Sequence, residues 1–454
     1  MKPHQKFIQF FFSSLRLKTE DETFLLSGSV QAFIIKVFGL IIAFLLQIVL
    51  ARILGVEQFG DYIYVLTCIN VMALFTKLGY DRASKKFLPI FYSQKKYTQF
   101  YSYVRKSSKS TFLLSLIILL ITVGLYFLMP DWQNNLFRTF IIGSLVLLIN
   151  NQLGLFASFL EAVKEIYKSL IPSYLVRSLT IIGILIILES MSLELNSVVA
   201  MAINLFGTFI ASILVYKWFS SYYSPIKGKE KNKINNENKD EWRKVAFSLM
   251  FIAGAHLLLV EVDTILIGVF SGTESAGIYQ VAMKLGHLAM FGFSSVEIII
   301  APNISRLYAE NKLKDLQTLL SKGAVIMLIM TLPALLFLYF FGQYILELYG
   351  IEFIEGLTSL KILLGCQLVN AVTGAGLNLM AMTKYEQETL RIIFISLVLN
   401  IVLNLILIPK FGMEGAAIAT GFTTVFWNTW VYLFVRRKLR IDPSVIFLVK
   451  KRLN

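Results

Sequence analysis

The stretch LARILGVEQFGDYIY, Leu50 to Tyr64, breaks an apolar run with an arginine, two glycines, a glutamate and an aspartate. A second stretch, FSGTESAGIYQ (Phe270 to Gln280), nearly repeats it. Gly55, Glu57, Gly60 and Tyr62 align with Gly272, Glu274, Gly277 and Tyr279 at a constant offset of 217. Each stretch closes one long apolar segment and opens the next. Glycine permits a tight reversal there, and the charges are expected to sit in water. Both stretches therefore read as short hairpins between the first two helices of a repeated unit. A purely topological turn accounts for them without any substrate role.

The surrounding composition says what those helices cross. Of 454 residues, 56% are hydrophobic and 16% charged, against about a quarter charged in soluble domains. Runs of twenty-odd apolar residues recur from end to end, the pattern of a polytopic membrane protein. Twelve spans are expected. Residues 1–24 form an interfacial segment, 25–219 a first six-helix lobe, 220–241 a linker, 242–437 a second six-helix lobe and 438–454 a basic tail. If the N-terminus is cytoplasmic, the inner segments hold 35 of the 43 Lys and Arg, and the outer connections only Arg52, Arg138 and Lys410. That bias places both termini in the cytoplasm, with the protein in the cell membrane. The net charge of +15 then reflects orientation and anionic lipids as partners, with no call for nucleic acid.

The Lys- and Asn-rich segment Tyr222–Lys244 divides the spans six and six. After the second helix of each half comes a proline, Pro89 or Pro302, at an offset of 213, followed by a basic amphipathic stretch. The segments 80–106 and 302–321 read as headgroup anchors. With six spans per half, the halves enter the membrane in the same direction, as parallel repeats. A third motif, LIPKFGMEGAAIAT (Leu407–Thr420), joins the last two spans, and its small residues suit close helix packing.

At these residues the chain resembles a known family. LARILGVEQFG, VDTILIGVFSGTESAGIYQVAMKL, the PNISRLY after it and LNLILIPKFGMEGAAIAT are similar to segments of the polysaccharide (O-antigen/exopolysaccharide) repeat-unit flippases. Those belong to the MATE-like superfamily of multidrug, oligosaccharidyl-lipid and polysaccharide exporters. The resemblance covers roughly residues 25–437. It implies an all-α fold, with two parallel-repeat lobes forming a V around a central cavity that opens alternately to each side. It also implies an activity, moving a polyprenyl-diphosphate-linked oligosaccharide from the inner to the outer leaflet for cell-surface polysaccharide biosynthesis. Polysaccharide assembly proteins are then candidate partners. Peptidoglycan-precursor flippases carry two further helices, for which the tail IDPSVIFLVKKRLN is too short.

Enzyme signatures are missing from the sequence. There is no phosphate-binding loop. Three histidines without an H-E-x-x-H, and the isolated Cys68 and Cys366, suggest neither a metal centre nor a disulfide framework. No cofactor is expected, and the short outer connections leave little room for a catalytic domain.

Ionisable residues inside spans are the remaining candidates, because each costs energy in the bilayer. Lys36 lies about 14–17 Å into the first helix, where insertion of Lys costs about 2.5–3.5 kcal/mol. Gly39, Ala43 and Gln47 follow it at helical spacing. Arg177 is the other midplane cation of the first lobe. In the second lobe Gln280, Lys284, His287, Phe291 and Ser294 form a stripe, and Lys284 and His287 match Thr67 and Asn70 of the first. Lys36, Gln47, Arg177, Lys284 and His287 are expected to bind the diphosphate. His256, Asp263 and Glu297 are expected to serve ion coupling, with His256 and Asp263 sharing a face and Glu261 pointing elsewhere. A plainer alternative is a buried Lys284–Asp263 ion pair. Snorkelling or interhelical contact would equally explain Lys36.

The rival reading is a proton- or sodium-coupled drug or cation exporter of the same fold. Such a pump would want carboxylates in its first lobe, whose acids Glu57, Asp61, Asp81 and Glu189 lie near span ends. A scaffold in a glycan assembly complex would tolerate cavity substitutions. Two complete lobes in one chain allow a monomer to suffice.

Overall fold

The computed structural model describes residues 20–129, 134–227, 239–445 and 447, which are helical with no strand among them. Most of the expected interfacial segment, the middle of the linker and the end of the basic tail lie outside these residues. The first lobe comprises α1 (Glu20–Lys77), α2 (Tyr80–Ser93), α3 (Tyr97–Leu128), α4 (Asn135–Ala162), α5 (Ile166–Ile171), α6 (Arg177–Ser190) and α7 (Ser197–Lys227). A π-helical turn, Pro172–Val176, joins α5 to α6. The second lobe comprises α8 (Lys239–Ser271), α9 (Thr273–Ala289), α10 (Phe291–Ala309), α11 (Leu313–Glu347), α12 (Leu357–Thr373), α13 (Gly376–Ala381) and α14 (Glu386–Leu439).

Nine stretches among the described residues are long and apolar enough to cross a bilayer, and α9 with α10, bent by 48°, add a tenth. At 58 and 54 residues, α1 and α14 are more than twice the length a bilayer needs. Each breaks at one glycine, Gly55 (φ 70°) or Gly412 (φ 54°), and so supplies two spans. The crossings then come to the expected twelve. Beyond the Gly412 break the chain turns sharply back, so that a Cβ on Gly415 would lie 2.4 Å from the Leu407 carbonyl oxygen.

The glycines of the repeated stretch do more than permit a turn. A Cβ on Gly60 would lie 2.4 Å from the Thr273 carbonyl oxygen, and one on Gly277 would lie 2.7 Å from Gly60 Cα. The two hairpins therefore pack backbone to backbone, closing the lobes against each other at this end. Asp61, expected in water, is instead 9% exposed and accepts a 2.6 Å hydrogen bond from Thr273 Oγ1. Arg52 reaches across to the carbonyls of Glu347 (2.7 Å) and Leu348 (2.8 Å), where a helix C-terminus favours a cation. Glu57 and Glu274 do stay exposed.

One apolar core spans both lobes at the hairpin end, with Phe59 and Tyr62 packed alongside Ile278, Tyr279 and Leu360. Toward the opposite, basic end the core divides. One cluster holds Tyr80, Phe91, Tyr103 and Phe159, another Phe293, Ile300, Leu320 and Val435. A cleft between the lobes follows from that division. The start of α8 crosses it on one side, since Trp242 sits in the first-lobe cluster, 5.7 Å from the Phe91 ring and 5.4 Å from the Tyr103 ring. The apolar face of α2 is likewise buried in protein rather than set into headgroups, with Phe87, Leu88 and Phe91 all in the core.

The seam at Gly60 has no room for a side chain, so Gly60→Val forces the hairpins apart at a cost of about 1–3 kcal/mol. Spin labels at Glu57 and Glu274, measured by double electron–electron resonance, should move apart in that variant. An unchanged distance would show that the seam does not hold the lobes together.

Candidate functional site

In the first lobe, Tyr62 comes down from the hairpin fully buried, and its hydroxyl accepts a 2.8 Å hydrogen bond from Asn204 Nδ2 on α7. The Asn204 Oδ1 accepts in turn from Arg177 Nη2 (2.9 Å) and Nε (3.2 Å). Arg177 Nη1 donates to Asn150 Oδ1 on α4 at 3.1 Å. The widened turn at Pro172–Val176 immediately precedes Arg177, and such turns recur at functional sites. The result is a half-buried guanidinium held by neutral amides, with no acid within 4 Å among the described residues.

Asn150 is one of three adjacent amides in the middle of α4. Asn151 Nδ2 donates to Thr76 (2.6 Å) and Ser115 (2.9 Å), while Gln152 exchanges hydrogen bonds with the hydroxyl and carbonyl of Ser108 (2.9 and 3.2 Å). At 100° per residue they point to three different neighbours.

The second lobe repeats the frame with the opposite charge. Tyr279 donates to Asp263 Oδ2 at 2.9 Å, and Asn404 Nδ2 donates to Oδ1 at 2.7 Å. The Thr420 hydroxyl donates to Oδ2 as well, and Asn404 also bonds Asn400 at 3.1 Å. Asp263 is fully buried, and its partners are all neutral. Asn404 Oδ1 is buried without a hydrogen-bond donor among the described residues. The LIPKFGMEGAAIAT motif serves this site directly. Ala416, Ala417 and Ala419 are fully buried, so the helix packs closely enough for Thr420 to reach the carboxylate.

The plainer alternative of a buried ion pair fails here. Lys284 does not pair with Asp263; it lies by Glu261 on the other side of α8. Glu261 and Asp263 are two residues apart, hence about 200° apart on the helix, and adjacent residues of α9 sort them. Tyr279 takes Asp263, while Gln280 donates to Glu261 at 3.3 Å and shares its face with Lys284. Glu261 does point elsewhere than Asp263, and it is buried in the seam, within reach of Asn70 of the first lobe. His256 and Asp263, seven residues apart, share a face of α8 but not their surroundings. His256 is exposed, near Arg82 and His287, whereas Asp263 is enclosed by α9 and α14.

His287 is exposed, one residue before Leu288 in the wall of a lateral opening between the lobes. Glu297 stands apart on α10, half-buried near Asn378. Lys36 is exposed on the sparsely packed inner half of the first span, where Ile34, Phe38, Leu40 and Ile41 are exposed too. Gly39 does not share its openness, since its Cβ position is 2.7 Å from Tyr174 Cβ. Ala43 is exposed and Gln47 half-buried. Attention to charge passed over Tyr62, Asn150, Asn204, Asn400, Asn404 and Thr420. The signal was present in the amides of LINNQ and LNIVLN, which need partners inside a membrane.

Asn204→Ala leaves the Arg177 guanidinium and the Tyr62 hydroxyl short of partners, for a loss of about 1–3 kcal/mol. Thermal unfolding of the purified chain should show a lower Tm. Asn151→Ala, at an independent network, provides the comparison.

A profile of the family described as polysaccharide biosynthesis protein matches residues 25–308, and a MatE profile matches residues 250–406. Among curated relatives, the "Probable flippase AglR" of Haloferax volcanii is 32% identical over 161 residues, 35% of this chain and 34% of that one. The "Probable low-salt glycan biosynthesis flippase Agl15" of the same organism is 29% identical over 161 residues. The matched stretch thus spans about a third of the length of these relatives, 34% in each case. A Methanocaldococcus jannaschii membrane protein without an assigned role, MJ1375, is 24% identical over 84% of this chain and 91% of its own. Solved structures share the fold. An inward-facing MATE-family multidrug transporter superposes with a TM-score of 0.69 at 12% identity, covering 87% of this chain and 94% of that one. The lipid II flippase MurJ gives 0.69 at 16% identity, covering 90% and 87%. The chain is a multi-pass membrane protein of MATE-like fold and belongs to the polysaccharide biosynthesis protein family.

Proposed function

We propose that the chain is an alternating-access flippase, a transporter rather than an enzyme, that moves a polyprenyl-diphosphate-linked oligosaccharide across the cell membrane. The observation that carries this reading is the set of cations within the spans that no acid neutralises. Arg177 is bonded only to amides, and Lys36 is exposed with no acid within 4 Å among the described residues. A diphosphate is the complementary charge, and it gains most where water is scarce. The flippase names of the Haloferax relatives and the family description support the same substrate class.

In this reading residues 25–219 and 242–437 rock against each other, with both termini in the cytoplasm and the cleft first open inward. Lys36, Arg177, Lys284 and His287 meet the diphosphate, with Gln47 beside them. The lateral cavity of about 560 Å³ between Val37, Leu40 and Ile41 of α1 and Leu288, Phe291 and Gly292 of the second lobe is apolar. It would let the polyprenyl tail remain in lipid while the sugars cross. An inside-negative potential favours outward movement of an anion by about 2.3 kcal/mol per charge per 100 mV. One chain carries both lobes, so a monomer suffices. A cation exporter fits less well, because the deep charges of the first lobe are Lys36 and Arg177 rather than carboxylates.

The test is leaflet accessibility of the lipid-linked oligosaccharide in cells lacking the protein, re-supplied with wild type, Lys36→Ala or Lys36→Arg. Lys36→Ala should reduce clearance from the inner leaflet about tenfold or more, the size of one lost charge-assisted contact. Lys36→Arg should retain most of it. Clearance by Lys36→Ala equal to wild type would remove Lys36 from the substrate site. Precursor reaching the outer leaflet without any such protein would end the flippase reading.

A second element, ion coupling at Asp263, has its own support. An uncompensated carboxylate lies beside the orphaned Asn404 Oδ1 and the Thr420 hydroxyl, an oxygen set suited to a small hard cation or to a proton on the carboxylate. Sodium or acid should raise the Tm of the wild-type chain and leave Asp263→Asn unmoved. Equal responses from both would exclude this site from coupling.

A further inference from the structure

A groove of about 610 Å³ runs along the flank of the first lobe between α3, α4 and α7. Its lining includes Arg105, Lys109 and Phe112 of α3, Phe156 of α4, and Tyr216 and Tyr223 of α7. Leu113 and Ile117 of α3 and Ile213 of α7 beside it are exposed apolar side chains, so the groove opens on the apolar outer surface of the lobe. Arg105 and Lys109 are both exposed and one helical turn apart, with no acid within 4 Å among the described residues. From Arg105 to Phe112 is about 10 Å along the helix, the step from headgroup to upper acyl chain. Tyr216 is 57% exposed and Phe112 42%, as walls that await a covering. The hydrogen bonds between Gln152 and Ser108 hold α3 and α4 in register beneath it. The last span of the second lobe carries the same combination in a groove of about 520 Å³, where Phe426, Trp430 and Phe434 precede Arg437 and Lys438.

We propose that the first-lobe groove binds one phospholipid with an anionic headgroup, its phosphate between Arg105 and Lys109 and its acyl chains over Phe112 and Tyr216. Two adjacent cations at the membrane surface attract such a headgroup. Aromatic walls with polar edges suit the boundary between headgroup and chain. The leaflet, though not the site, rests on the orientation proposed above.

Native mass spectrometry of the full chain, released from micelles containing phosphatidylglycerol or phosphatidylcholine with the same acyl chains, tests the site. Wild type should retain phosphatidylglycerol in preference. R105Q/K109Q should lose one retained lipid per chain, whereas R105K/K109R should keep it. K95Q/K96Q removes the same charge from an exposed turn and should also keep it. Equal retention by R105Q/K109Q and wild type overturns the site. Equal retention of the two lipids by wild type overturns the headgroup preference. No transport is measured, so the outcome is independent of the flippase reading.

Discussion

A tyrosine hydroxyl buried between membrane helices must find a polar side chain as partner, because neither lipid nor apolar side chains supply one. Tyr62 and Tyr279 occupy the same place in the two repeats, and each is fully buried. Much of the architecture follows from satisfying them. Tyr62 ties the second span to α7 through Asn204, and Asn204 ties α7 to α6 and, through Arg177, to α4. Tyr279 ties α9 to α8 through Asp263, which draws in both arms of α14 through Asn404 and Thr420. In each lobe a branched polar network hangs from a tyrosine next to the seam.

The two networks share a frame and differ in sign. The first ends in a guanidinium with neutral partners, the second in a carboxylate with neutral partners. Buried charges are normally paired within their own network. Here each lobe leaves its charge to be compensated by something else, and the lobes meet over a cleft that divides their cores only toward the basic end. The same asymmetry explains why Lys284 turns to Glu261. The face of α9 that carries Gln280 and Lys284 meets the seam, while the face that carries Tyr279 meets α14.

Fold and repeat were legible in the sequence because hydropathy, charge bias and the offset of the hairpin glycines are one-dimensional signals. Gly55 and Gly272 stand at the reversals with positive φ. What the offset could not convey is that Gly60 and Gly277 touch each other, since contact between repeats is a property of their docking. At the site, Lys36, Arg177 and Asp263 were visible as costly charges in apolar surroundings. Their partners were less so. Asn204 and Thr420 carry no charge to mark them, and the spacing does not tell that Tyr279 takes Asp263 while Gln280 takes Glu261.

The three adjacent amides of α4 have a consequence for how this chain can change in length. Asn150, Asn151 and Gln152 each hold a different neighbour, so the rotational setting of that helix is over-determined. Inserting or deleting a single residue before them would swing all three by about 100° at once, and no single compensating substitution elsewhere could recover three partners. The fourth span is therefore a part of fixed length around which the rest of the lobe is gauged. Variation in length among such chains belongs in the connections.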